Sequence, residues 1–198
     1  LEFSASEDIA LDKGSGPQDG RKHLLVGSNA TGPYSSLVAF DFSGVGLGSG
    51  MVVDSVIIEF YNDDSDANGG ANALTMLVNQ YNYDFVTTAA TYESPATGDT
   101  TAGGTLGTSF GSFNLGAPAG GGGNGSLLAT LPTSAALERA VQSAINSQGE
   151  FRLILSDSNP NTTDERYVRI GRISDTNDTP VKLWLTTRPA QGSVISIH

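Results

Sequence analysis

Hard oxygen donors come first. Asp64-Ser65-Asp66-Ala67-Asn68-Gly69 sets two carboxylates and an amide at alternate positions, followed by a glycine. This is the opening half of a calcium loop, in which a sharp turn lets several oxygens converge on one ion. The closing half departs from that pattern: the loop's last ligand position, counted from Asp64, is Thr75 where a bidentate glutamate is needed. The residues fit a structural Ca2+ held by Asp64, Asp66 and Asn68 with ligands from another loop, and equally a solvated acidic turn between two strands. Asp157-Ser158-Asn159-Pro160-Asn161 and Asp175-Thr176-Asn177-Asp178 are further oxygen-rich stretches that read as turns.

Rings and guanidinium groups are the other candidates. Tyr81, Tyr83 and Phe85 alternate with Asn82 and Asp84, so on a strand the three rings share one face. Such a row either stacks on sugar rings or packs into the core. Arg166, Arg169 and Arg172, with Arg152 and Lys182 on neighbouring strands, gather positive charge in a chain with Lys+Arg 10 against Asp+Glu 21. Parity puts Arg166 and Arg172 on one face and Arg169 on the other. These groups either grip the carboxylates of an acidic polysaccharide or pair with the chain's own acids.

Catalytic chemistry finds little support. The two imidazoles, His23 and His198, sit in no nucleophile or metal-binding motif, and Cys 0 removes thiolate chemistry and disulfides. Some pair of carboxylates among 21 acids must fall at glycosidase spacing by chance, which carries no information. The glycines of Gly44-Val45-Gly46-Leu47-Gly48-Ser49-Gly50 precede the β-branched run Val52 to Phe60, where a dinucleotide site needs a helix N-terminus. A net charge of -11 opposes binding to nucleic acid or anionic lipid, and no apolar run is long enough to span a bilayer. Few lysines amid abundant Thr, Asn and Gly point to a secreted or cell-surface protein. Leu1-Glu2-Phe3-Ser4 carries neither an initiator Met nor a signal pattern, as expected of a processed or cloned fragment.

Eight short runs must position these groups: Asp8 to Leu11, His23 to Val26, Ser36 to Phe42, Val52 to Tyr61, Leu74 to Tyr83, Phe151 to Leu155, Tyr167 to Ile173 and Val181 to Thr186. Separated by turn residues, they predict an all-β fold, a jelly-roll-like antiparallel β-sandwich. Leu137, Val141 and Ile145 form one apolar stripe behind Ser134, which predicts a single helix at 135–147 that lies on one end of the sandwich and stops at Gly149. The Gly/Thr-rich stretch 97–126 is an insertion, in which Thr105 to Phe113 retains strand alternation. Residues 1–187 are expected to form one domain. Residues 188–198 read as a linker and a β-prone tail containing Val194, Ile195 and Ile197.

The order of these pieces resembles the DNRLRE-type domain, a secreted β-sandwich related to carbohydrate-binding modules found beside alginate lyases. The resemblance runs through Glu7-Asp8-Ile9-Ala10, Leu24-Leu25-Val26-Gly27, Leu37-Val38-Ala39-Phe40-Asp41-Phe42, Val53 to Phe60, Tyr83-Asp84-Phe85-Val86 with Thr91-Tyr92, the helix, Phe151 to Leu155, and Pro180 to Leu185. It covers roughly 7–187, by order and spacing without one diagnostic motif, and departs at the insertion and the tail. It implies a jelly-roll sandwich outside the cell that binds or builds and does not catalyse.

Two functions follow as expectations. One is a non-catalytic extracellular structural subunit that assembles with copies of itself into a filament, the tail residues Val194, Ile195 and Ile197 adding as a strand to a neighbour's sheet edge. The other is a carbohydrate-binding module for an acidic polysaccharide such as alginate, contacted by Tyr81, Tyr83, Arg166, Arg169 and Arg172.

Overall fold

The structure, a computed structural model, describes residues 1–16, 23–63, 72–116, 125–160, 165–174 and 179–191. In chain order the strands are β1 (Glu2–Ser4), β2 (Glu7–Asp12), β3 (His23–Asn29), β4 (Gly32–Asp41), β5 (Met51–Tyr61), β6 (Leu74–Gln80), β7 (Ser109–Leu115) and β8 (Leu127–Leu131). The helix α1 (Ala135–Ser147) follows, then β9 (Glu150–Asp157), β10 (Arg166–Gly171) and β11 (Lys182–Pro189). Two antiparallel sheets pack together as a sandwich. The smaller runs β1-β11-β5-β8; the larger runs β10-β3-β4-β9-β6-β7, with β2 also paired to β4, and curls into half a barrel.

Strand parity builds the core. Val56, Ile58 and Phe60 of β5 face inward and are fully buried, while Ile57 and Glu59 point outward. From the larger sheet Leu24, Val26, Val38, Phe40, Leu153, Leu155, Val168 and Ile170 meet them. β4 is buried along nearly its whole length because its outer face is covered as well. There Ile9, Leu11, Leu37, Ala39 and Ile154 pack beneath Tyr81, Phe85, Ala90 and Ala96, from the segment that leads from β6 to β7.

The link between β3 and β4 changes character along its length. Asn29 Oδ1 accepts from Thr31 N–H (2.8 Å), the Thr31 hydroxyl (2.6 Å) and Gly32 N–H (3.2 Å), which folds the tight turn. Backbone pairing covers only Gly27 to Asn29, and β2 pairs with β4 from Tyr34 to Ala39. Where the ladder between β3 and β4 stops, the buried Ser36 hydroxyl accepts from Leu25 N–H (3.0 Å) and donates to Leu25 C=O (2.8 Å).

The helix starts as its sequence predicts, with Ser134 Oγ accepting from Leu137 N–H, and lays Leu137, Val141, Ala144 and Ile145 against β5 and β9, one strand of each sheet. Its end differs by one residue. Gln148, not Gly149, takes the left-handed conformation at φ 52°. Its carboxamide donates to Val45 C=O (2.7 Å) and Ile145 C=O (2.9 Å) and accepts from Gly44 N–H (2.9 Å), contacts that offset the cost of that conformation, about 1–2 kcal/mol. β1 and β8 lie outside the eight runs that the sequence marks as strands. β7 takes up the later part of the Thr105 to Phe113 alternation, from Ser109, and runs two residues past it to Leu115.

Candidate binding site

β10 lies at the edge of the larger sheet, where on one side Ile170 bridges Asn62 and Arg169 C=O accepts from Asp63 N–H (3.2 Å). Its other side is paired along its length to β3 in a register that sets Tyr167 opposite Gly27 and Arg169 opposite Leu25. Their even-numbered neighbours Val168 and Ile170 enter the core, so Tyr167 and Arg169 stand on the outer face. Gly27 is required here: its φ is +128°, and a Cβ would lie 2.2 Å from Arg166 O.

On that face is a cleft of about 660 Å³. Asp12, Lys13, His23, Asn29, Tyr34, Tyr167 and Arg169 are among its lining residues. The Arg169 guanidinium lies 5.7 Å from the Tyr167 ring centre, and Tyr34 meets Tyr167 edge-on at 5.9 Å, so the ring is held from two sides. His23 Nδ1 is 3.3 Å from Asp63 Oδ2, and the Ser15 hydroxyl donates to Asp12 Oδ2 at 3.2 Å. Residues 17–22, between two lining stretches, lie outside the described residues. The arrangement offers one aromatic face, cations from Arg169 and Lys13, and amide and hydroxyl groups from Asn29 and Thr31. Those groups suit a hydroxylated, carboxylated ligand.

The residues expected from sequence are dispersed. Arg169 lines the cleft. Arg166 and Arg172 share the opposite, inward face as parity requires, one at each end of the apolar pair Val168 and Ile170. Each pairs with an acid of this chain. Arg166 Nε lies 3.0 Å from Asp157 Oδ2, and its Nη2 donates to Asn159 C=O. Arg172, 2% exposed, donates from Nε to Asp8 Oδ1 (2.7 Å) and from Nη2 to Asp8 C=O (2.9 Å), while Asp8 Oδ2 accepts from Ile173 N–H (2.9 Å).

Tyr81 is 2% exposed and packs in the outer cluster, its hydroxyl donating to Asp99; half-buried Tyr83 leans on it with ring centres 5.7 Å apart. The row Tyr81, Tyr83 and Phe85 therefore packs together as the core alternative supposed, and neither tyrosine lines the cleft. Asp64, Asp66 and Asn68 lie outside the described residues, as do Val194, Ile195 and Ile197. Among the described residues no group of three or more His, Cys, Asp or Glu is placed to hold a metal, and no helix is long and apolar enough to cross a membrane.

Sequence reading missed Tyr167, Tyr34, Asn29, Lys13 and Asp12. A signal for the first was present, since Tyr167 has the parity of Arg169. The others reach the cleft only because β2, β3 and β4 converge there.

Comparison with protein-family models finds none that matches the chain, and comparison with curated proteins finds no similar sequence. Function is read from the geometry.

Proposed function

We propose that the protein is a non-catalytic extracellular module that binds an acidic polysaccharide in the cleft on the outer face of β3 and β10. The observation that carries this reading is the Tyr167 ring, fixed by Tyr34 and capped by Arg169, on the wall of a cleft of about 660 Å³. A pyranose presents a C–H face that suits the negative face of a ring, and its carboxylate suits a guanidinium. Arg169 and Lys13 take the carboxylates, while Asn29 and Thr31 meet the hydroxyls.

Affinity electrophoresis in gels cast with alginate or polygalacturonate tests it. Wild type should be retarded. Tyr167→Ala and Arg169→Ala should each weaken retention about tenfold, about 1.4 kcal/mol, at temperatures below the melting transition of each variant. Equal mobility of wild type with and without both polymers would remove the reading.

A second reading, assembly with copies of itself, is favoured by one edge. β1 pairs with β11 only from Lys182 to Trp184, and Leu1 and Leu185 exchange backbone hydrogen bonds. Beyond this, among the described residues, no strand pairs with Thr186 to Pro189 on that side. Such an edge accepts an added strand. The proposed donor is the segment containing Val194, Ile195 and Ile197.

A further inference from the structure

Trp184 is the chain's one tryptophan and it stands on the outer face of the smaller sheet, 38% exposed. Its indole N–H donates to Glu59 Oε2 (2.7 Å), which also accepts from the Tyr61 hydroxyl (2.5 Å). Lys182 Nζ lies 5.8 Å from the indole centre and 2.7 Å from Glu2 Oε1. The strand register sets Ile57, 37% exposed, directly beside the ring. Burial first, then the hydrogen bond to Glu59, pushes the Tyr61 hydroxyl up to about 12, so it remains a donor across the physiological range.

A large exposed ring normally carries rotamer entropy that a ligand must remove on binding. Here the indole is tied in place before any ligand arrives. Its polar edge is satisfied, and charged groups of both signs stand around an apolar island of two side chains. That island is far smaller than the roughly 800 Å² per partner that a stable protein interface buries. Its dimensions suit a single sugar ring, with Glu2 and Glu59 at its rim accepting from hydroxyls and Lys182, ion-paired to Glu2, beside the indole.

We propose that Trp184, with Ile57, Glu59 and Lys182, is a second carbohydrate platform that stacks one pyranose of an acidic polysaccharide. It lies on the opposite sheet from the Tyr167–Arg169 cleft. The inference rests on the polysaccharide-binding reading and extends it: with sites on two sheets, one molecule bridges two polymer strands, and avidity rises without any new contact.

The lone tryptophan supplies the readout. Titration of the full chain with an alginate hexasaccharide should change the intensity of Trp184 fluorescence and shift its maximum saturably. The same change, with its midpoint moved less than twofold, should persist in Arg169→Ala, in which the cleft binds about tenfold more weakly. Trp184→Phe should keep electrophoretic retention through the cleft, yet lose the rise in light scattering that wild type causes when mixed with high-molecular-weight alginate. Ile57→Asp, which leaves the indole in place, should weaken the fluorescence midpoint at least tenfold. Retention that disappears in Arg169→Ala, with no fluorescence response in wild type, would overturn the platform and leave the cleft standing. No retention and no fluorescence response would overturn both. A fluorescence response without cleft-dependent retention would support the platform and overturn the cleft.

Discussion

Asp99 is 1% exposed and accepts from the Tyr81 hydroxyl (2.9 Å), Thr101 N–H (3.0 Å), Thr105 N–H (2.9 Å) and the Thr105 hydroxyl (2.9 Å). Burial is the largest single influence on its carboxyl and raises the pKa. The hydrogen bonds together outweigh burial and hold the pKa below 3.8. The Tyr81 hydroxyl moves the other way, raised first by burial and then by its bond to Asp99. Because the folded pKa is depressed, the stabilisation is present above the unfolded value and is lost as pH falls through the folded one. Thermal melts should therefore fall below about pH 4 in wild type. Asp99→Asn, which keeps the shape but turns one oxygen that accepts two bonds into a donor, should cost roughly 1–3 kcal/mol at neutral pH and show a shallower acid loss. An equally steep acid loss in the variant would assign that loss to other carboxylates.

At the scale of strands, Gly27 decides whether β10 can lie against β3. Gly27→Ala forces a Cβ into Arg166 O at a positive φ, and we expect a loss of about 2 kcal/mol or more together with loss of polysaccharide retention. Gly46→Ala is the control, since a Cβ there meets nothing within 4 Å. Wild-type melting in Gly27→Ala would show that the two strands can separate freely. The same elements show what the sequence could reveal. β5 and α1 were legible because Val56, Ile58 and Phe60 keep period two and Leu137, Val141 and Ile145 keep period four, each against one core. The fate of Tyr81 was not legible: parity assigns a side chain to a face, but what covers that face comes from residues up to Thr105. The cleft was half visible for the same reason. Parity singled out Arg169, but the convergence of β2, β3 and β4 on it depends on pairings that local pattern does not specify. β1, with three residues, offers too little periodicity to read.

For the whole molecule, the net charge of -11 sets copies against one another at low ionic strength. If the open stretch of β11 accepts a neighbour's tail, assembly should strengthen as salt is raised and stop when Ser193 to His198 are deleted. Negative-stain micrographs and size-exclusion profiles of the full and shortened chains measure this. Particles of the same size from both, at low and high salt, would discard strand addition and leave polysaccharide binding as the molecule's means of association.

The order of the smaller sheet has one more consequence. β11 lies between β1 and β5, and Leu1 bonds to a residue 184 positions away. The strand that fills the gap between β1 and β5 is thus made after both of them, and until it arrives β5 offers an apolar ribbon with an unfilled edge. Contacts this distant in sequence close slowly. The chain therefore passes through a prolonged unfinished state during synthesis. That delay makes even a short truncation within β11 a folding defect rather than a local one.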